Sequence, residues 1–153
     1  MGNYQPLSEL DTIIIHCSDT PNGRQHNAID IDDWHHQRGF KRNLIIEPHH
    51  QPHLTAIGYH FVICLDGSIE AGRPLNESGA HARGYNRGSV GICLIGRDQY
   101  TKAQWTALEK LVLLLEKQLQ KELNVIGHNQ VSNKRCPGFD VQQWMYQTWD
   151  EEH

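Results

Sequence analysis

Apolar residues in this chain of 153 residues occur in short runs that polar, turn-rich stretches separate. Five runs predict strands: residues 12–17, 57–65, 68–72, 89–96 and 124–127. Near-continuous β-branched runs, such as the first, are typical of strands buried on both faces. Alternation along the second predicts that Tyr59, Phe61 and Ile63 share one face. Asp66-Gly67 predicts a tight hairpin turn between the second and third runs.

Apolar positions at helical spacing predict three helices. The longest begins after Thr101 and carries one apolar stripe. The stripe consists of Trp105, Leu108, Leu111, Val112, Leu115 and Leu119. A shorter helix is predicted over residues 29–39, with Asp30 as its N-cap and Gly39 just past its end. Asp140 caps a terminal helix. The sequence therefore predicts a single-domain α/β fold, with a mixed sheet flanked by helices.

Three stretches lack a clean period. Residues 1–10 are predicted to form a loose leader before one domain over residues 11–150. Residues 74–88 predict a polar loop. Residues 41–56 contain two prolines and three histidines, and predict a longer excursion. Two interpretations of that excursion stay open: a solvated loop, or a loop that contacts a metal or substrate.

Composition narrows the classes of function. A formal charge of −4 disfavours a nucleic-acid binder, since phosphate binding needs a basic face. The start is polar and no apolar run approaches the roughly 20 residues that span a bilayer. We therefore expect a cytoplasmic, monomeric chain without a signal peptide or membrane segment. Cys17, Cys64 and Cys93 lie in apolar runs and are interpreted as core, whereas Cys136 lies in a polar loop.

Candidate chemistry concentrates near the C-terminus. His128, Lys134 and Cys136 place an imidazole, an ammonium and a thiol within nine residues. Imidazole nitrogen and thiolate are the ligand types that Zn²⁺ binds most readily, and a catalytic zinc site has three protein ligands. His16, near the end of the first strand, is the best candidate for the third. Alone, His128 and Cys136 are a weak signal for a metal site. A loop histidine and an inert buried thiol would explain the same two residues about equally well.

Eight short motifs, in order, resemble one family. They are IHCS at 15–18, GYHF at 58–61, DG at 66–67, EAGR at 70–73, GAHA at 79–82, GYN at 84–86, VGICLIG at 90–96, and GH at 127–128 followed by CP at 136–137. In this order and spacing the set resembles the zinc-dependent N-acetylmuramoyl-L-alanine amidases, which include T7-type phage lysozyme and share the fold of the peptidoglycan-recognition proteins. The resemblance runs from about residue 11 to residue 149.

The resemblance implies a role for individual residues. Three are implied zinc ligands: His16, His128 and Cys136. Tyr59 is implied to lie beside the reacting water, and Lys134 to face the developing oxyanion. Four are implied to line the substrate groove for glycan and stem peptide: His81, Arg73, Asn86 and Arg87. Residues 41–56 are longer than the matching connection in the T7-type enzyme, which affects the expected substrate preference.

The implied activity is hydrolysis of the amide bond between N-acetylmuramic acid and L-alanine in peptidoglycan. Zinc would activate water and polarise the carbonyl. Such an endolysin-like enzyme would reach the cell wall through a separate export or holin-type route, and could be of phage or prophage origin. Three alternatives stay open: a non-lytic peptidoglycan-binding module, a regulator of a phage-type RNA polymerase, and a cytoplasmic muropeptide-recycling amidase. Cys136 favours the enzyme over the binding module, since non-cutting relatives typically lack the thiol.

Overall fold

The computed structural model describes residues 3–150 of the chain. Its strands are β1 (Thr12–Cys17), β2 (Phe61–Ile63), β3 (Ile69–Ala71), β4 (Ser89–Leu94) and β5 (Asn124–Gly127). Its α-helices are α1 (Ala28–Gln37), α2 (Lys102–Leu119) and α3 (Val141–Met145), and α3 continues as a π-helical turn, Tyr146–Asp150. Within the described part of the chain, no helix is long and apolar enough to cross a membrane.

The strands form one mixed sheet in the order β3-β2-β4-β1-β5. β1 pairs in parallel with β4 on one side and with β5 on the other. β2 is parallel to β4, and only β3 runs antiparallel to its neighbour. The predicted α/β class with a mixed sheet is confirmed, and the carboxyl ends of β1, β4 and β5 lie at the same edge.

Alternation along the central strands divides the core into two layers. Ile13 and Ile15 of β1 pack with the apolar stripe of α2. On the other side of the sheet, Cys93 of β4 packs with Ile31 of α1. The predicted buried stripe of α2 and its start after Thr101 are confirmed, and Thr101 accepts a hydrogen bond from the backbone of Gln104.

The start of α1 differs from the prediction. Asn27, not Asp30, is the N-cap: its side chain accepts a hydrogen bond from the Asp30 backbone, and the Asp30 carboxylate accepts one from the Asn27 backbone N–H. Asp30 is therefore the third helical residue of a capping box. Gly39 lies just past the helix end with φ of +85°, as predicted.

β2 is shorter than the predicted strand of residues 57–65. It begins at Phe61, where the regular pairing with β3 and β4 starts, and the amides of Gly72 and Arg73, just after β3, donate to the carbonyls of His60 and Tyr59. The predicted shared face for Tyr59 and Phe61 is wrong. Phe61 packs in the α2 layer, whereas Tyr59 packs in the α1 layer.

The described part of the N-terminal segment is packed rather than loose. Tyr4 forms an antiparallel bridge with Glu77, and Gln5 is fully buried. The Gln5 amide donates to the Leu75 carbonyl, and its side-chain oxygen accepts from the Gly88 backbone. Met1 and Gly2, the first residues of the predicted leader, lie outside the described residues.

Residues 41–56 contain no helix or strand, as predicted, but they are anchored. Leu54 is buried against α1, and the guanidinium of Arg42 donates to the carbonyls of Gln51 and Leu54. Arg42 also forms a fully buried ion pair with Glu77 at 3.2 Å. The excursion is therefore tied to the segment that follows β3.

Candidate metal centre

Two strand ends and one loop bring together three side chains of types that bind metals. His16 lies in β1, one residue before its end, and His128 follows β5 directly. Because β1 and β5 are parallel neighbours, with Ile15 opposite Gly127, both histidines lie at the same edge of the sheet. Cys136 reaches this edge from the loop after β5. One ligand atom from each of the three side chains lies within 4.8 Å of the others.

This group fits a zinc ion. Zn²⁺ binds imidazole nitrogen at about 2.0–2.1 Å and thiolate at about 2.3 Å, so ligand atoms around one tetrahedral ion are about 3.5 Å apart. Small side-chain shifts therefore suffice to bring the three atoms onto one ion. Of the two histidines, His16 is 1% exposed and His128 is 8% exposed. In residues 3–150 this is the only such group of three His, Cys, Asp or Glu ligands, so the histidines of residues 41–56 form no second one.

Both histidines are held in the neutral form that binds metal. Burial, followed by the nearby His81 and His128, lowers the pKa of His16 well below 6.5. Burial and the positive charge of Lys134 lower the pKa of His128. Metal ligands must be deprotonated, so these shifts leave a ring lone pair available on each histidine at neutral pH.

Cys136 contacts a second cysteine. The backbone N–H of Cys17 donates to its Sγ at 3.0 Å, but the side-chain contact with Cys17 and burial outweigh this bond in setting the pKa of Cys136. The hydrogen bond between the two side chains lowers the pKa of Cys17 to about 7 and raises that of Cys136. Cys64 and Cys93 are buried, in agreement with their interpretation as core. Cys17 is also buried, but its contact with Cys136 gives it a place in the site that its apolar run did not reveal.

Tyr59 and Lys134 lie beside the group. The Tyr59 ring is centred 5.0 Å from that of His16. Burial, ahead of the surrounding cysteines, raises the pKa of Tyr59 well above 10, so its hydroxyl keeps its proton. Lys134 is exposed, and its charge acts on both His16 and His128. The Tyr59 ring is thus close to His16, and the charge of Lys134 reaches both histidines.

Two of the proposed groove residues have structural partners instead. Arg73 is 2% exposed, and its guanidinium donates to the carbonyls of Ile57 and Ser78. It also lies 3.5 Å from the Glu77 carboxylate. The side-chain oxygen of Asn86 accepts the backbone N–H groups of His81 and Ala82. Arg73 is therefore not available to substrate, and the Asn86 oxygen is used in shaping its own loop.

The other two groove candidates differ in accessibility. Both ring nitrogens of His81 are engaged: Nδ1 lies 2.8 Å from His16 Nε2, and Nε2 lies 3.2 Å from Ser89 Oγ. His81 thus lies behind His16. Arg87 is exposed, and it pairs with Glu9 at 2.8 Å and donates to the Tyr4 carbonyl.

Ser89, which contacts His81, was not singled out from the sequence, because a serine that opens a buried strand carries no distinguishing signal.

An open cleft of about 580 Å³ lies on the sheet near these loops. Ile14 of β1 and Ile126 of β5 contribute to its floor, together with residues at the starts of β1, β4 and β5, and none of His16, His128 and Cys136 lines it. Since side chains alternate along a strand, the floor lies on the face that carries His16. Tyr85 and Arg87 form part of its wall.

Comparison with known proteins gives the family. The model of the Amidase_2 family, N-acetylmuramoyl-L-alanine amidase, matches residues 6–139. The chain is 32% identical to the endolysin of Escherichia phage T7 over 149 residues, which cover 92% of this chain and 89% of that protein. It is 33% identical to the endolysin of Klebsiella phage KP32, with 92% and 89% covered.

Solved structures agree. The N-acetylmuramoyl-L-alanine amidase LysC from Clostridium intestinale URNW superposes with a TM-score of 0.74 at 27% identity, covering 95% of this chain and 91% of that one. Drosophila PGRP-LB superposes with a TM-score of 0.74 at 29% identity, covering 96% and 84%. The match of the family model to most of the chain, together with identity above 30% over nine-tenths of it, shows that this chain belongs to the N-acetylmuramoyl-L-alanine amidase family.

Proposed function

We propose that this protein uses zinc to hydrolyse the amide bond between the lactyl group of N-acetylmuramic acid and L-alanine of the peptidoglycan stem peptide. The convergence of His16, His128 and Cys136 within 4.8 Å is the observation that carries the proposal. These three residues would hold the ion. When bound, zinc would act as a Lewis acid on the scissile carbonyl and lower the pKa of the attacking water.

The neighbouring side chains supply the remaining requirements of amide hydrolysis. Tyr59 keeps its proton, so its hydroxyl acts as a donor that orients a reactant next to His16. Lys134 places a positive charge where negative charge develops on the carbonyl oxygen. A fixed donor of this kind contributes about 2.7–4 kcal/mol of transition-state stabilisation.

The cleft gives the polymer a place to lie. Its floor includes Ile14, which lies on the face of β1 that carries His16, and exposed Tyr85 and Arg87 stand at its wall. A cationic and aromatic wall suits a glycan with anionic stem peptides. We infer that the chain acts as a monomer and that, like an endolysin, it meets the cell wall after release by a separate route.

The products of digestion test the proposal. Purified cell walls treated with the zinc-loaded protein should release new L-alanine amino termini, and a chelator should abolish their release. New reducing sugar ends would instead identify a glycosidase, and binding to the walls without cleavage would identify a binding module. Intact sacculi compared with soluble anhydro-muropeptides would separate wall lysis from recycling.

The metal can be tested without a substrate. Cys136→Ser should lower the bound zinc from about one ion per chain and abolish hydrolysis, because a hydroxyl replaces the thiolate ligand. Cys64→Ser is the matched control, since Cys64 is equally a free thiol but lies in the hairpin between β2 and β3. Equal zinc content in both variants by elemental analysis would exclude Cys136 from the ligands.

A further inference from the structure

We propose that His81 is a positioning residue: together with Ser89 it fixes the ring of His16 so that Nδ1 is the nitrogen presented to the metal. The inference rests on the proposed role of His16 as a zinc ligand. The observations that carry it are two contacts in series, His16 Nε2 to His81 Nδ1 at 2.8 Å and His81 Nε2 to Ser89 Oγ at 3.2 Å.

The donor and acceptor in each of these two contacts follow from the hydrogen bonds that Ser89 makes. The Ser89 hydroxyl has one hydrogen, and the carbonyls of Tyr85 at 2.7 Å and Asn86 at 3.0 Å, which can only accept, both lie closer to it than His81 does. Toward His81, the Ser89 oxygen can therefore only accept. His81 must then carry its hydrogen on Nε2, which leaves Nδ1 as an acceptor.

The same reasoning sets the tautomer of His16. Because His81 Nδ1 accepts, His16 must donate from Nε2. A neutral imidazole has one hydrogen, so His16 Nδ1 carries the free lone pair. Burial lowers the pKa of both rings, which agrees with neutral forms. Metal-bound histidines commonly donate their other nitrogen to a fixed acceptor, which orients the ring and raises its basicity.

The fold leaves room for His81 in this position only because two glycines flank its ring. A Cβ added at Gly91 would lie 2.7 Å from Cγ of His81, and one at Gly79 would lie 2.5 Å from its Cδ2. The backbone of His81 is held separately, by the Asn86 oxygen at 2.8 Å. The ring is thus fixed on two sides and at its main chain, as a positioning residue requires.

Two amide substitutions separate positioning from packing. In His81→Asn, Oδ1 takes the place of Nδ1 and still accepts from His16, so the zinc dissociation constant should stay within about threefold of wild type. In His81→Gln, the amide reaches toward Ser89 but no acceptor remains at the Nδ1 position. Its zinc affinity should fall about 10–100-fold, the usual cost of losing such a partner. Zinc affinity is measured by competition with a chromophoric chelator. Equal affinities of the two variants would overturn the proposal.

The tautomer itself can be observed in the wild-type protein. Long-range ¹H–¹⁵N correlation at neutral pH should show His16 protonated on Nε2 in the zinc-free protein, with the Nδ1 signal shifting when zinc is added. Protonation on Nδ1 would overturn the proposal even if every variant failed to fold. Zinc binding with this tautomer but without release of L-alanine termini would refute the amidase reaction and leave the role of His81 intact. A wild-type protein that binds no zinc would refute both.

Discussion

Buried histidines in this protein fall into two groups according to what their ring nitrogens contact. His16 and His128 lie at the metal-binding edge. His35 and His60 instead accept backbone N–H groups through Nδ1, from Gly58 at 2.9 Å and from Gly91 at 3.0 Å. A high histidine count predicts metal binding without saying which residues bind, and half of these four have structural roles.

Lys134 gives the first prediction at the scale of one residue. Lys134→Met removes the charge while keeping much of the side-chain length, so kcat should fall about 100–1,000-fold. Zinc content should not fall, because Lys134 is not among the three ligands. Steady-state hydrolysis and elemental analysis of the same preparation check both statements. Exposed Lys117 of α2 offers a control, and Lys117→Met should retain wild-type kcat. A Lys134 variant with unchanged kcat would contradict the proposed oxyanion role.

At the scale of elements, a buried charge cluster joins the loops on the α1 side of the sheet. The Glu77 carboxylate pairs with Arg42 at 3.2 Å and with Arg73 at 3.5 Å, and all three side chains are almost completely buried. Its second oxygen accepts the Asn43 backbone N–H at 2.9 Å. The cluster therefore fixes residues 41–56 to the segment between β3 and β4.

Removing the central charge of this cluster should destabilise the fold. Glu77→Gln leaves two buried guanidinium groups without their counter-charge, so the free energy of unfolding should fall by about 3–5 kcal/mol. Urea denaturation measures the change. The control is Glu9→Gln, which breaks the exposed ion pair with Arg87 and should cost at most about 1 kcal/mol. Similar losses in the two variants would show that burial does not set the strength of these pairs.

The elements differ in how far the sequence predicted them. β1, β5 and the start of α2 agree with the sequence because local patterns and caps determine them. The position of Tyr59 does not, because the strand begins only at Phe61, where pairing with β4 starts. The role of Arg73 also escaped prediction, since the carbonyls that it binds, those of Ile57 and Lys41, are brought to it only by the folded loops. The convergence of His16, His128 and Cys136 was predictable through family resemblance rather than through spacing alone.

At the scale of the whole molecule, buried neutral histidines make stability depend on pH. Burial, ahead of nearby arginines, lowers the pKa of His35 to about 4 from the ordinary 6.5. Burial likewise lowers the pKa of His60 to about 4. Between these values the unfolded chain binds more protons than the folded one, so stability is complete above pH 6.5 and falls as pH decreases toward 4.

We expect each of these histidines to contribute about 2 kcal/mol of the stability lost between pH 7 and pH 4.5. His35→Asn should reduce that loss, because the amide oxygen can still accept from Gly58 but does not titrate. Urea denaturation at several pH values measures the slope. Exposed His53 provides the control, and His53→Asn should leave the slope unchanged. An unchanged slope in His35→Asn would contradict the shifted pKa.

The site also joins distant parts of the chain. Cys17 and Cys136 are 119 positions apart, yet the amide of one touches the sulfur of the other. A cation held by His16, His128 and Cys136 would act as a removable cross-link between the first strand and the last loop. Such a ligand stabilises the folded state by about 4 kcal/mol at a concentration one thousand times its dissociation constant. Zinc supply would then govern how long the enzyme survives proteases, in addition to how fast it cuts.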